Sequence, residues 1–354
     1  MKKLALLLTI LVILPIFSIK SYAFEEHISD FYDILPEDMS RLESGSGIIE
    51  MLGVEGITRE IISVARGEGA RVSKFFLTLL SVIILFALAG LAHGDYAEVI
   101  FAAVGILSSG AIFETVGGLV SEVLLSLDKI SDFFASFIPI SVGITALGGG
   151  ESTALVQGSG MYVSLSLVSS LSGRIFSGIS SFGLAAALIS PLGGQLISSL
   201  SSGVKSIFTR TLGILTAVIT AAFSLQSIVA GSVDSAAMRA ARYMASGLIP
   251  VVGSTVSGAL STLASGMSYA KGIIGGGAVG ALLLMALSPL VMLLLYRLSL
   301  SAAIGISSVL SLGSSAIFSA YRQALDMALA LYALSTLIYL FEIIIFLKSG
   351  VNII

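Results

Sequence analysis

Long runs without a single Asp, Glu, Lys or Arg recur along this chain, at 75–94, 152–173, 175–204, 211–233, 243–270, 272–296 and 298–321. Two shorter apolar stretches, 99–113 and 327–341, join them. About 20 apolar residues in a helix rising about 1.5 Å per residue cross the hydrocarbon of a bilayer. Lipid offers no partner to a bare peptide group, so each segment must close its own backbone hydrogen bonds as a helix. The chain is therefore expected to be all-α, a polytopic transmembrane bundle of about seven to nine spans. Composition agrees. Hydrophobic residues make up 56% and charged residues 11%, against roughly 25% charged in soluble domains.

Charge is concentrated at one end. Residues 24–74 hold 16 charged side chains, whereas the much longer 75–354 holds 20. The step divides the chain into a water-facing segment and a membrane domain. Before it, Met1-Lys2-Lys3, the apolar run 4–17 and the small residues Ser21 and Ala23 have the layout of a secretory signal peptide over 1–23. Residues 24–74 then form a short acidic segment on the outer side, ending in an interfacial helix over 57–72. The residues Arg66, Arg71 and Lys74 precede the first span on that outer side. The basic residues Arg174, Lys205, Arg210, Arg239, Arg242, Lys271, Arg297 and Arg322 are spread through successive predicted loops, so the positive-inside rule has little asymmetry to act on.

Net charge is −3, which gives no basic field for nucleic acid. Cysteine is absent, excluding disulfides, thiolate nucleophiles and Cys-based metal sites. The two histidines, His27 and His93, lie far apart in sequence and are read as solvated. There is no phosphate-binding GxxxxGK[ST] loop and no Ser-His-acid set within the spans. The chain is thus read as non-enzymatic, with no cofactor and no metal. Glu114, Glu122, Glu151, Asp234 and Glu342 lie within or beside apolar runs, where charge is costly. Glu342, six residues before Lys348, is read as snorkelling at a helix end.

The spans are rich in Gly, Ala and Ser, including the GxxxG pairs Gly90/Gly94 and Gly276/Gly280. Small residues let helices approach closely in lipid. Four prolines, Pro139, Pro191, Pro250 and Pro289, sit in paired contexts: Phe-Ile-Pro-Ile and Leu-Ile-Pro-Val, Ile-Ser-Pro-Leu and Leu-Ser-Pro-Leu. Amphipathic stretches at 114–132 and 225–244 precede the two Ile-Pro elements. Proline interrupts helices, and matched interruptions in two halves point to a transporter-like central site. Two related halves, 75–204 and 205–354, are one account. Four kinked helices with chance tetrapeptide similarity are the other.

Residues 224–253 carry a more specific pattern: Leu225-Gln226, Asp234, the basic pair Arg239 and Arg242, and Ile249-Pro250 through Gly253. This stretch, with the order of signal peptide, short exported segment bearing Leu35-Pro36, and multi-span region, resembles the stage III sporulation protein AE family. The resemblance implies a permease-like membrane subunit of a secretion-type channel joining mother cell and forespore after engulfment. It also implies partners among the other stage III sporulation A-series membrane proteins, including a secretion-type ATPase and ring-forming components, with stage III sporulation protein Q on the forespore side. The location implied is the mother-cell membrane around the forespore. The competing function is a self-sufficient secondary transporter or permease for a small solute.

Overall fold

The computed structural model describes residues 54–93, 96–147, 150–189, 203–204, 206–223, 253–310 and 312–349, without the side chains of 54–55, 174–175 and 253–270. The signal peptide, most of the acidic segment with His27, Lys205, Pro191, Leu225, Gln226, Asp234, Arg239, Arg242, Ile249 and Pro250 lie outside the described residues.

Six helices long and apolar enough to cross a membrane are found among the described residues. They are α1 (Val54–Ala89), α2 (Ala97–Leu147), α3 (Glu151–Ile189), α4 (Ser206–Phe223), α5 (Gly253–Val309) and α6 (Ser314–Lys348). Six is fewer than the expected seven to nine, for an identifiable reason. Charged residues mark loops in the sequence reading, yet Arg174 and Arg297 sit inside α3 and α5. At Arg174 the chain passes through a π-turn, Leu171–Phe176, and continues as α-helix. The predicted spans 272–296 and 298–321 are not separate. Residues 253–309 form one helix of 57 residues, which ends within the predicted span 298–321, and the next helix begins at Ser314. Likewise 99–113 and the amphipathic 114–132 belong to one helix of 51 residues, about 75 Å long at 1.5 Å per residue.

Contacts read in order give the directions. Along α5 and α6, Ser307 meets Ser314, Arg297 meets Asp326, and Lys271 meets Ser349, an antiparallel hairpin. Along α2 and α6, Ser109 meets Tyr321, Ser131 meets Tyr339, and Phe137 meets Phe346, so these two run parallel. α3 returns antiparallel to α2, from Thr145–Gln157 at one end to Ser109–Ala187 at the other. One core joins helices from both sides of residue 204. Its aromatic contacts include Phe134 stacked on Tyr339 at 4.3 Å and Phe86 edge-on to Phe101 at 5.1 Å. Leu77, Ile84, Leu88, Ile214 and Val218 point outward, as expected of side chains dissolved in lipid.

Pro139 and Pro289 both lie within continuous helices, α2 and α5. A proline at 289 removes the N–H that would bond the Met285 carbonyl. The Tyr332 hydroxyl of α6 donates to that carbonyl at 3.5 Å, at the long limit for a hydrogen bond. A neighbouring helix thus supplies what the proline withholds.

α6 is central because its sequence carries a heptad. Phe318, Leu325, Tyr332, Tyr339 and Phe346 form one line, and Ser314, Tyr321, Ala328, Ser335, Glu342 and Ser349 form the other; all are buried. Repeats of seven keep one seam on the partner helices. The Tyr321 hydroxyl donates to the Ser109 carbonyl at 2.8 Å and lies 2.9 Å from Ser109 Oγ. Bonds of this kind in membranes average about 0.6 kcal/mol. A double-mutant cycle of Tyr321→Phe and Ser109→Ala, read by unfolding in mixed detergent, is expected to give a coupling of about 0.5–1.5 kcal/mol.

Candidate functional site

The second heptad line of α6 is unlike an ordinary apolar seam, because it is small or polar at every step. Each polar member except Ser335 reaches another helix. Ser314 Oγ lies 2.6 Å from Ser307 Oγ on α5. Tyr321 engages Ser109 on α2. Glu342 accepts a hydrogen bond from Ser164 Oγ on α3 at 2.6 Å. At the foot of the stripe, Lys271 Nζ donates to the Ser349 carbonyl at 2.6 Å and sits 5.5 Å from the centre of the Phe346 ring. Ser349 is also the last, capping position of α6. A cation there complements the negative end of the helix dipole.

Gln157 on α3 completes the foot. Its amide lies 3.2 Å from Ser349 Oγ and 3.3 Å from Thr145 Oγ1. Both hydroxyls also reach carbonyls of their own helices, Phe346 and Ser141, at 2.8 Å. One hydroxyl proton cannot serve two acceptors. Since amide O and N are assigned from the network, the consistent arrangement turns the Gln157 nitrogen toward the two hydroxyls. The ends of α2, α3 and α6 are thereby tied to one another and to Lys271 within α5.

The sequence reading of Glu342 as a snorkelling residue is overturned. Glu342 is fully buried, with 0% exposure, and faces the bundle rather than the membrane surface. Lys271, read as a loop residue, is likewise buried. Sequence reasoning also missed Asp326. Arg297 Nε donates to Asp326 Oδ1 at 2.5 Å, so an ion pair bridges α5 and α6 where a loop was expected. Arg71 bonds Glu122 at 2.8 Å and Glu68 at 3.3 Å, linking α1 to α2. Glu114, Glu151 and His93 are exposed, as is Pro139, whereas Pro289 is buried and Gly253 opens the described part of α5. Among the described residues no group of three or more His, Asp or Glu could hold a metal. The heptad was the signal that could have found the stripe: Tyr321, Ser335, Glu342 and Ser349 are separated by multiples of seven residues.

Removing one partner of the Arg297–Asp326 pair leaves a partly buried charge. Asp326→Ala is expected to destabilise by about 1–3 kcal/mol, less than a fully buried pair because both side chains keep some exposure, 31% and 24%. Detergent-titration midpoints check this, and Arg297→Met with Asp326→Leu together should recover much of the loss.

Helices that turn apolar side chains outward and gather their polar groups along an internal stripe define a multi-pass membrane protein of the helical-bundle class. The chain belongs to the stage III sporulation protein AE family, whose model matches residues 46–350. A role connected with sporulation, within the stage III sporulation A-series, follows from that membership. No curated protein and no solved structure matches the chain.

Proposed function

We propose that this chain is a non-enzymatic, permease-like membrane subunit of the channel, or secretion-type complex, that serves endospore development after engulfment. The observation that carries the reading is the family match over 46–350, nearly the whole chain. The described helices support it: their polar groups are spent on helix–helix contacts, as suits a subunit that packs and spans. Energy would come from a separate secretion-type ATPase. The partners on this reading are the other stage III sporulation A-series membrane proteins, including ring-forming components, with stage III sporulation protein Q on the forespore side. The location is the mother-cell membrane around the forespore, with the segment after the signal peptide on its outer side. Affinity capture of the tagged full chain from sporulating cells should recover those partners. Deletion should arrest sporulation after engulfment and spare vegetative growth. Recovery of the chain alone, with normal sporulation in the deletion strain, would falsify the proposal.

A second reading, a self-sufficient secondary transporter, is favoured by Glu342 and Lys271, because ionisable groups buried within spans are where transported ions and solutes bind. Gradient-driven solute flux in liposomes holding this chain alone is its test; flux that requires the partners returns the first reading.

A further inference from the structure

We propose that the face formed by α1 and α2 docks a second copy of this chain, with the basic α1 of each copy set against the acidic α2 of the other. The inference concerns this chain's own surface and does not depend on the proposed partners.

Arg71 on α1 and Glu122 on α2 pair at 2.8 Å with their side chains 55% and 43% exposed. Their bond therefore lies at the surface and marks a lateral face that both helices share. On α1 this face exposes Arg66 and Lys74 among the small residues Ser63, Gly67, Ala70 and Ser73. A Cβ at Gly67 would meet nothing within 4 Å, so the space beside the helix is open. Arg59 shares the face and has an interaction of its own. The nearby acids Glu60 and Glu68 are half-buried, and Glu68 bonds Arg71. On α2 the exposed residues Glu114, Gly118, Ser121, Asp128 and Asp132 fall three, four or seven apart and so line one stripe. Lys129 is the one base exposed beside its three carboxylates.

Lipid does not suit this face. The rings of Phe75 and Tyr296 lie 5.0 Å apart, and Phe86 lies close to Gly313, so α1 runs parallel to α5. Arg66 and Lys74 thus fall on the side of the uncharged stretch 272–296 of α5. Ser131 meets Tyr339, which sets Asp128 and Asp132 beside the uncharged stretch 327–341 of α6. Exposed charges at the depth of uncharged spans are costly in hydrocarbon. A surface of opposite charge removes that cost.

The heights agree as well. α1 and α2 are antiparallel, from Arg71–Glu122 to Phe86–Phe101. From the Arg71–Glu122 bond, Arg66 and Asp128 lie about 7.5 and 9 Å to one side along their helices. Lys74 and Glu114 lie about 4.5 and 12 Å to the other, a difference a lysine side chain spans. Two copies inserted the same way round are related by an axis along the membrane normal, which leaves heights unchanged. A two-fold axis, the commonest symmetry of homo-oligomers, also exchanges left and right. Each α1 then faces the α2 of the other copy, and opposite charges meet at matching heights.

The test uses two differently tagged copies of the full chain, co-expressed in membranes without sporulation proteins and captured in mild detergent. Capture of one tag is expected to bring down the other. Arg66→Glu with Lys74→Glu makes both helices acidic on this face, and Glu114→Lys with Asp128→Lys makes both basic. Each variant is expected to lose pairing with itself by about tenfold or more. Copies of the first mixed with the second should pair again, because every α1 then faces an α2 of opposite sign. Recovery in the mixture also shows that both variants fold. The chain has no natural cysteine, so a copy with Lys74→Cys and a copy with Glu114→Cys should be joined by a short bifunctional thiol reagent into a species of twice the mass. Capture of one tag only, as when lipid or the acidic segment 24–50 of the same chain covers α1, overturns the proposal. So does pairing that either reversal leaves unchanged, pairing that the mixture does not restore, or Lys74→Cys copies that cross-link to one another. Capture of sporulation partners is a separate readout, so failure here leaves the proposed function standing.

Discussion

Substituting Gly275 by alanine is expected to push α5 away from α6 and to lower stability by about 3 kcal/mol or more. A Cβ at Gly275 would lie 2.5 Å from Leu347 Cδ2, 2.7 Å from Leu347 Cγ and 3.2 Å from Phe346 Cδ1. Leu347 Cγ moves clear only if the whole side chain leaves its present χ1 rotamer. Phe346 is held edge-on against Phe137 at 5.4 Å. Overpacking of this kind costs about 1–3 kcal/mol. Separation also stretches the Lys271–Ser349 bond, four residues back on α5, and hydrogen bonds to charged groups contribute about 1.5–3 kcal/mol. Gly272 gives the control. A Cβ there meets nothing within 4 Å, so Gly272→Ala should be neutral or gain up to about 1 kcal/mol from helix propensity. Opposite shifts of the two unfolding midpoints in a detergent titration are the expected pattern. Equal behaviour would show that the close approach at 275 does not hold the hairpin.

The second large effect is expected at Tyr339, whose replacement by alanine should cost about 2–3 kcal/mol. The ring is fully buried and stacked on Phe134 at 4.3 Å. In water such a truncation would lose hydrophobic transfer as well as packing. In a bilayer the unfolded helices remain in an apolar solvent, so the transfer part largely vanishes and packing remains. A void of roughly 100 Å³ at about 24 cal/mol per Å³ accounts for the figure. Ser131 does not become an orphan, since its hydroxyl also bonds the Leu127 carbonyl. Tyr339→Phe isolates the other component. It removes only the 2.9 Å contact with Ser131 and should cost about 0.6 kcal/mol. If the alanine variant loses no more than the phenylalanine variant, the stacked pair contributes little and the lipid fills the space.

These two sites illustrate what was and was not legible along the chain. The excess of apolar residues and the long uncharged runs left membrane-spanning helix as the only economical state for most of the chain, and six such helices stand among the described residues. Span ends were less legible. Arg297 has the charge of a loop residue and the position of a span residue, and Asp326 on the next helix pairs with it there. Arg174 sits within a π-turn that keeps α3 going, a conformation no local signal announced. Glu342 looked like a residue reaching for the interface because Lys348 lies close to it in sequence. In the fold the carboxylate turns to Ser164, 178 positions away.

The residues of this chain determined by themselves that it would be helical and lipid-dissolved, because those preferences are summed locally over twenty or so neighbours. The heptad on α6 was equally present in the sequence. Which charges lie inside, which hydroxyl meets which carbonyl, and how closely Gly275 lets two backbones approach were decided only by tertiary packing. The physical reason is that a polar group in an apolar medium is defined by its partner, and the partners here come from helices far apart in the chain.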